Sequence, residues 1–352
     1  MNQEAFRRQY RATAWVILWV SLSILLVRIL TSRLASAFTP GTMGQSIFFS
    51  VTVQLFALFL IPLAMFVIML PDRAGRRPLD GVAKDTFNKA KHIFTLSGFV
   101  KTKPVILLLC VPLGIACLFV TSGLYNAWMT ILQALGHNHA AMPAGTAVAP
   151  TWGRFFTSII IIAVLPGFCE EFATRGVLLN TMNRTFHKGA VILMLGIGFG
   201  LFHQNIRQFF YTAVMGVLLV YLTIELKSIW PAVIIHFVNN ATSVYINFSN
   251  RGLNLPAGGA ISSFNTTLFD TPALLVFFFL LMVGTVALLT AVIIKYNKGL
   301  GRGSIAPRAP VCDTVGQAGY FKPTLRDNAA FIGAIVTMGL STLFSFMWGL
   351  FY

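Results

Sequence analysis

The sequence predicts an all-α, polytopic membrane bundle of about nine transmembrane helices with a cytoplasmic N-terminus. Three observations lead there. Of 352 residues, 56% are hydrophobic and only 10% charged, at a mean hydropathy of +0.77, whereas a soluble domain carries about a quarter charged residues. The apolar residues gather in windows close to the roughly 20 residues that cross a bilayer core. The basic residues fall between those windows on alternating sides.

The windows lie near 14–31, 47–70, 104–126, 154–184, 189–206, 208–226, 229–248, 272–294 and 329–352. The first follows MNQEAFRRQYRA; Arg28 and Arg33 come after its apolar run and no small-residue cleavage site stands out, so it reads as a retained helix rather than a signal peptide. The third extends to about 133, and the fifth and seventh depend on burial among neighbours to complete a crossing. With the N-terminus inside, Arg7, Arg8 and Arg11, the loop 71–103, Arg184 with Lys188, Lys227, and the loop 295–328 with its flanking Arg326 all fall on the inner side. The outer side keeps only Arg33, Arg154, Arg207 and Arg251, while Arg28 and Arg175 lie within spans. The net charge of +16 is thereby a record of topology. Basic loops can meet anionic lipid, and no nucleic-acid partner is called for.

The two long inner loops divide the chain into N-terminal helices over 1–133, a central group over 150–250 and closing helices over 251–352. No repeat of fixed period appears, which weakens an inverted-repeat transporter. Cys110, Cys117, Cys169 and Cys312 form no C-x-x-C pair and read as small core residues.

Seven of the ten acidic residues fall in loops or the N-terminal segment, and Glu225 sits at a helix end near Lys227. Glu170 and Glu171 stand instead inside the span FFTSIIIIAVLPGFCEEFATRGVLL. A carboxylate at the bilayer centre costs about 3 kcal/mol even on the mild insertion scale, so such residues face a polar interior and mark function. Glu171 and Arg175 are an i,i+4 pair with the acid first, the favourable order for an ion pair. Glu170 points about 100° away and is the candidate chemical carboxylate.

Two histidines share this placement. His203 ends FGLFH, one turn after Phe199, and His236 opens HFVNN, one turn before Asn240. Counting about 1.5 Å per residue from the inner helix ends brings Glu170, His203, His236 and Asn240 to compatible depths on three helices. Gly196 and Gly200 form a small-residue stripe suited to close helix packing. Asn183, Asn239, Asn247 and Gln204 are polar neighbours that can bond across helices.

Water-mediated hydrolysis fits this set: a carboxylate and an imidazole deprotonate water, while a second imidazole and an amide donate to an oxyanion. A competing version makes Glu170, His203 and His236 ligands of Zn²⁺ or another divalent metal, although H-E-x-x-H is absent. Serine catalysis lacks G-x-S-x-G, and Cys169 beside Glu170 is a poor thiolate.

Glu170-Glu171-x-x-x-Arg175, Phe199-x-x-x-His203 and His236-x-x-x-Asn240, in that order on successive apolar helices, resemble the three motifs of the CPBP intramembrane proteases. That family includes type II CAAX prenyl endopeptidases and bacteriocin-processing and immunity proteins. The resemblance covers roughly residues 150–250. It implies that Glu170 and His203 activate water, that His236 and Asn240 stabilise the oxyanion, and that Glu171, Arg175 and Phe199 support the site. It also implies a membrane-embedded or membrane-associated peptide substrate and a plasma membrane of bacterial type. Two other classes stand beside it: a non-proteolytic immunity or scaffold protein of the same fold, and a proton- or cation-coupled transporter.

Overall fold

The computed structural model describes residues 3–35, 37–38, 42–69, 93–137, 150–182, 185–299 and 323–351. Residues 71–92 and 300–322 of the two long basic loops, with Asn183, Arg184 and Cys312, lie outside these residues. Among the described residues the chain is helical without strands: α1 (Gln3–Ala35), α2 (Met43–Ile68), α3 (Pro104–Ala134), α4 (Trp152–Met182), α5 (Lys188–Phe202), α6 (Ile206–Leu226), α7 (Trp230–Asn250), α8 (Gly258–Asp270), α9 (Pro272–Gly299) and α10 (Leu325–Phe351). The chain is a multi-pass integral membrane protein.

Every predicted window overlaps a helix, but among the described residues seven helices, rather than nine, are long and apolar enough to cross a bilayer: α1, α2, α3, α4, α6, α9 and α10. The two that fall short do so for different reasons. The 15-residue α5 ends early, at the turn that carries His203, and spans about 22 Å against a core of about 30 Å. α7 is long enough, but its sequence HFVNNATSVYINFSN is too polar.

Two helices depart from α geometry, and proline explains part of it. α2 is π-helical over Val53–Leu60, just before Pro62, and α4 over Ile159–Val164, just before Pro166. Proline has no N–H for the carbonyl four residues back, and a widened turn absorbs the mismatch. Pro166-Gly167 therefore marks a change of helical pitch within a continuous helix. Phe172–Leu178 of α4 is also π-helical without a following proline; it carries Arg175.

α4 is central, packing between α2 on one side and α7 on the other. One apolar core joins α1, α2, α4, α5 and α10 through Val20, Ile24, Phe66, Phe172, Leu195 and Met338. A second joins α3, α6, α7 and α9 through Leu113, Leu219, Ile235 and Ile293. α9 lies at the edge, with Val276, Phe277, Leu280 and Leu288 exposed as lipid contacts.

α5 and α6 form a tight hairpin whose contact is made by glycines. A Cβ on Gly200 would lie 2.5 Å from the Phe209 carbonyl oxygen, and one on Gly196 3.0 Å from the Val217 nitrogen. The stripe is thus a packing surface. Gly200→Ala is expected to destabilise by about 1–3 kcal/mol through overpacking. Gly198→Ala, where a Cβ meets nothing within 4 Å, is expected to be neutral or stabilising by up to about 1 kcal/mol. Thermal unfolding of both variants in one detergent checks the contrast. Lys188, at the start of this hairpin, pairs with Glu225 at its end, so Glu225 is paired across the hairpin and not merely near Lys227.

The starts of α1 and α10 are clasped together. Asp327, fully buried, accepts from Arg11 Nε at 2.6 Å and faces Arg7 Nε at 3.5 Å. Thr324 and Asp327 close a reciprocal capping box, and Tyr10 Oη donates to Asn328 Oδ1 at 2.7 Å. This juxtaposition places the two helix starts on one face, as the alternation of basic segments requires. Asp327→Asn is expected to lower the unfolding temperature, because it leaves two arginines facing a neutral group; Asp327→Glu, which keeps the charge, is expected to lower it less.

Candidate active site

The two adjacent glutamates of α4 point into different surroundings. Glu171 is completely buried, and its Oε1 accepts from Arg175 Nη1 at 3.0 Å and faces His236 Nδ1 at 2.8 Å. Arg175 also donates to Thr174 Oγ1 at 2.8 Å and to the Gly216 carbonyl at 3.1 Å. Its guanidinium lies 4.3 Å from the centre of the Phe199 ring, a cation–π contact. The predicted ion pair is thus present, and the carboxylate that neutralises Arg175 also orients His236.

Glu170 lines a cavity of about 150 Å³ together with His203. Its Oε1 accepts from Gln54 Nε2 at 2.8 Å, and its main-chain carbonyl accepts from Thr174 Oγ1. His203 is the C-terminal cap of α5; Gln204, with φ +49, turns the chain sharply, and Asn205 caps α6 through the Arg207 N–H. His203 Nδ1 lies 2.8 Å from the Phe199 carbonyl oxygen. A carbonyl accepts only, so Nδ1 carries the proton and Nε2 of the neutral ring has its lone pair free. Arg28 Nη1 donates to the His203 carbonyl at 2.6 Å and lines the same cavity.

Phe199 joins the two halves of the site. Its ring meets His203 edge-on at 5.1 Å and His236 edge-on at 5.9 Å between centroids. Asn240 lies on a neighbouring cavity and donates through Nδ2 to the Ile162 carbonyl at 2.8 Å. That carbonyl is the one Pro166 cannot serve. The amide has a second N–H.

Gln54 and Arg28 went unassigned in the sequence reading. The signal was there: each is a polar residue isolated in an apolar run, Gln54 within FFSVTVQLFALF and Arg28 within ILLVRIL. They belong to helices far from the motifs in sequence, and only packing brings them to Glu170. Of the other polar neighbours, Asn239 donates to Asn240 Oδ1 within its own helix, and Asn183 lies outside the described residues.

Among the described residues, no three His, Cys, Asp or Glu side chains are grouped as a metal-binding set. Glu170 is engaged by Gln54, and His236 is turned toward Glu171 through Nδ1. No catalytic step is routed through a metal.

Residues 152–242 match the family model described as type II CAAX prenyl endopeptidase Rce1-like. No curated protein and no solved structure matches the chain.

Proposed function

We propose that this chain, which belongs to the CPBP/CAAX protease family through its Rce1-like residues 152–242, is an intramembrane endopeptidase that hydrolyses membrane-associated peptides with a water activated by Glu170 and His203. The observation that carries the reading is the separation of the two carboxylates. Glu171 is buried and held through Oε1 by Arg175 and His236, while Glu170 shares a cavity with a histidine whose Nε2 lone pair is free.

In this mechanism water sits between the Glu170 carboxylate and His203 Nε2. It gives up a proton to that pair as its oxygen adds to the carbonyl carbon of the peptide bond. His236 Nε2 and the second N–H of Asn240 donate to the oxyanion. For His236 to donate from Nε2 while Nδ1–H faces Glu171, the ring carries two protons, a form that the adjacent carboxylate supports by charge. Collapse of the intermediate breaks the C–N bond, and the proton passes from Glu170 to the leaving amine.

The peptide must be unwound at the cut, because a helical backbone hides its carbonyls in hydrogen bonds. A transporter reading would use the same ionisable groups as relays, but Glu171, Arg175 and His236 are bound to one another. The test is cleavage of a quenched fluorescent peptide by purified protein in detergent. Wild type is expected to cleave, and Glu170→Gln to bind the peptide with cleavage reduced by about 10²–10⁴-fold. Equal cleavage by both would refute the reading.

A further inference from the structure

Beyond Asn240 lies a furrow whose polar side chains the proposed chemistry does not use. It runs between α3 and α7 as two adjoining cavities of about 370 and 220 Å³, which share Leu118, Ser122 and Ser243. α7 lines it with Asn239, Asn240, Ser243, Asn247 and Asn250, spaced so that they follow one face of the helix. No Asp, Glu, Lys, Arg or His lines either cavity.

Beyond Asn239 and Asn240, which bond each other and the Ile162 carbonyl, most of these groups are not satisfied within the fold. Elsewhere in the bundle, helix hydroxyls bond the carbonyl four residues back, as Thr181 does to Val177 and Ser249 to Tyr245. Ser122, Asn126, Ser243, Asn247 and Asn250 have no side-chain hydrogen-bond partner among the described residues, and Ser243, Asn247 and Asn250 are exposed. In hydrocarbon, a row of unmet amides and hydroxyls is costly. This polar stripe is also what keeps α7 out of the set of apolar spans.

The ligand that complements the row is neutral and carries many donors and acceptors. A lipid tail would leave the amides unmet, and a charged side chain would find no counter-charge. An unwound peptide backbone fits, and in a bilayer it needs such partners itself. The furrow also starts at the right place: Asn240 reaches the Ile162 carbonyl, next to Ile161 in the wall of the Glu170 cavity. From Asn240 to Asn250 the helix rises about 15 Å, the length of about four or five extended residues.

We infer that the α3–α7 furrow is the substrate-binding groove, holding an uncharged, extended stretch of about four or five residues beside the scissile bond through hydrogen bonds to the peptide backbone. This rests on the endopeptidase reading and adds its substrate class: a segment free of charged side chains on the side of the cut that enters the furrow.

The test uses the full chain in detergent, inactivated by Glu170→Gln and carrying Cys312→Ser, with one cysteine introduced at Asn247, Asn250 or, as a lipid-facing control, Leu280. The probe is an uncharged Ala/Leu/Ser peptide with a single cysteine moved residue by residue. Disulfide formation is expected with Asn247→Cys at one peptide position and with Asn250→Cys one or two residues further along, but not with Leu280→Cys. In the active protein, Ser243→Leu with Asn247→Leu is expected to raise KM about tenfold at nearly constant kcat. A lysine placed in the same peptide stretch is expected to do likewise. Cross-linking no stronger than at Leu280 would overturn the inference, as would a fall in kcat at constant KM, the mark of a water path. Because cross-linking is read on an inactive variant, failure of wild type to cleave counts against the endopeptidase reading alone.

Discussion

Glu171→Ala is expected to destabilise the protein by about 3–5 kcal/mol, because it leaves the guanidinium of Arg175 buried without its carboxylate. Arg175 is the largest fully buried side chain of the described residues, and no rearrangement within a packed bundle brings it to water. The double replacement Glu171→Met with Arg175→Met removes both charges and both desolvation costs, so much of that stability is expected to return. Activity is not expected to return with it. His236 loses the carboxylate that faces its Nδ1 at 2.8 Å, and Phe199 loses the cation that rests on its ring at 4.3 Å. Chemical denaturation and peptide cleavage, measured on the same three proteins, separate the structural share of the cluster from its functional share. Full activity in the double variant would show that Glu171 and Arg175 serve packing alone.

That cluster also marks how far the sequence carries. The pairing of Glu171 with Arg175 was legible, because an i,i+4 acid–base pair in an apolar span has few other partners. The close packing at Gly196 and Gly200 was legible from their spacing. That Glu171 also faces His236 was not, since it depends on how α7 lies against α4, and no local pattern encodes that angle. Gln54 was visible as an isolated amide, but its bond to Glu170 joins residues 116 positions apart. Depth along the helices could be counted from the sequence, but not the division of the site into cavities, with Glu170 and His203 on one and Asn240 on the next. Counting apolar residues overestimated the spans for a related reason: α5 stops at the His203 turn, and α7 spends its lipid-length sequence on the polar furrow.

The second large effect concerns Glu170 and His203 as a unit. Each alone is expected to cost about 10²–10⁴-fold in kcat/KM when replaced, Glu170 by Gln and His203 by Ala. If one water is held between the two, removing the second group after the first has little left to remove, as happens for residues that act as a unit. Arg28 holds the His203 carbonyl and Gln54 one oxygen of Glu170, so replacing either is expected to act through these two.

Joint activation of a single water by Glu170 and His203 is the step on which the proposed cleavage rests. Its most direct test is the kcat/KM of the Glu170→Gln, His203→Ala double variant beside the two single variants on one peptide. The double variant is expected to be no slower than the slower single variant, to within about tenfold. Losses that multiply would contradict it, as would cleavage that survives either single replacement.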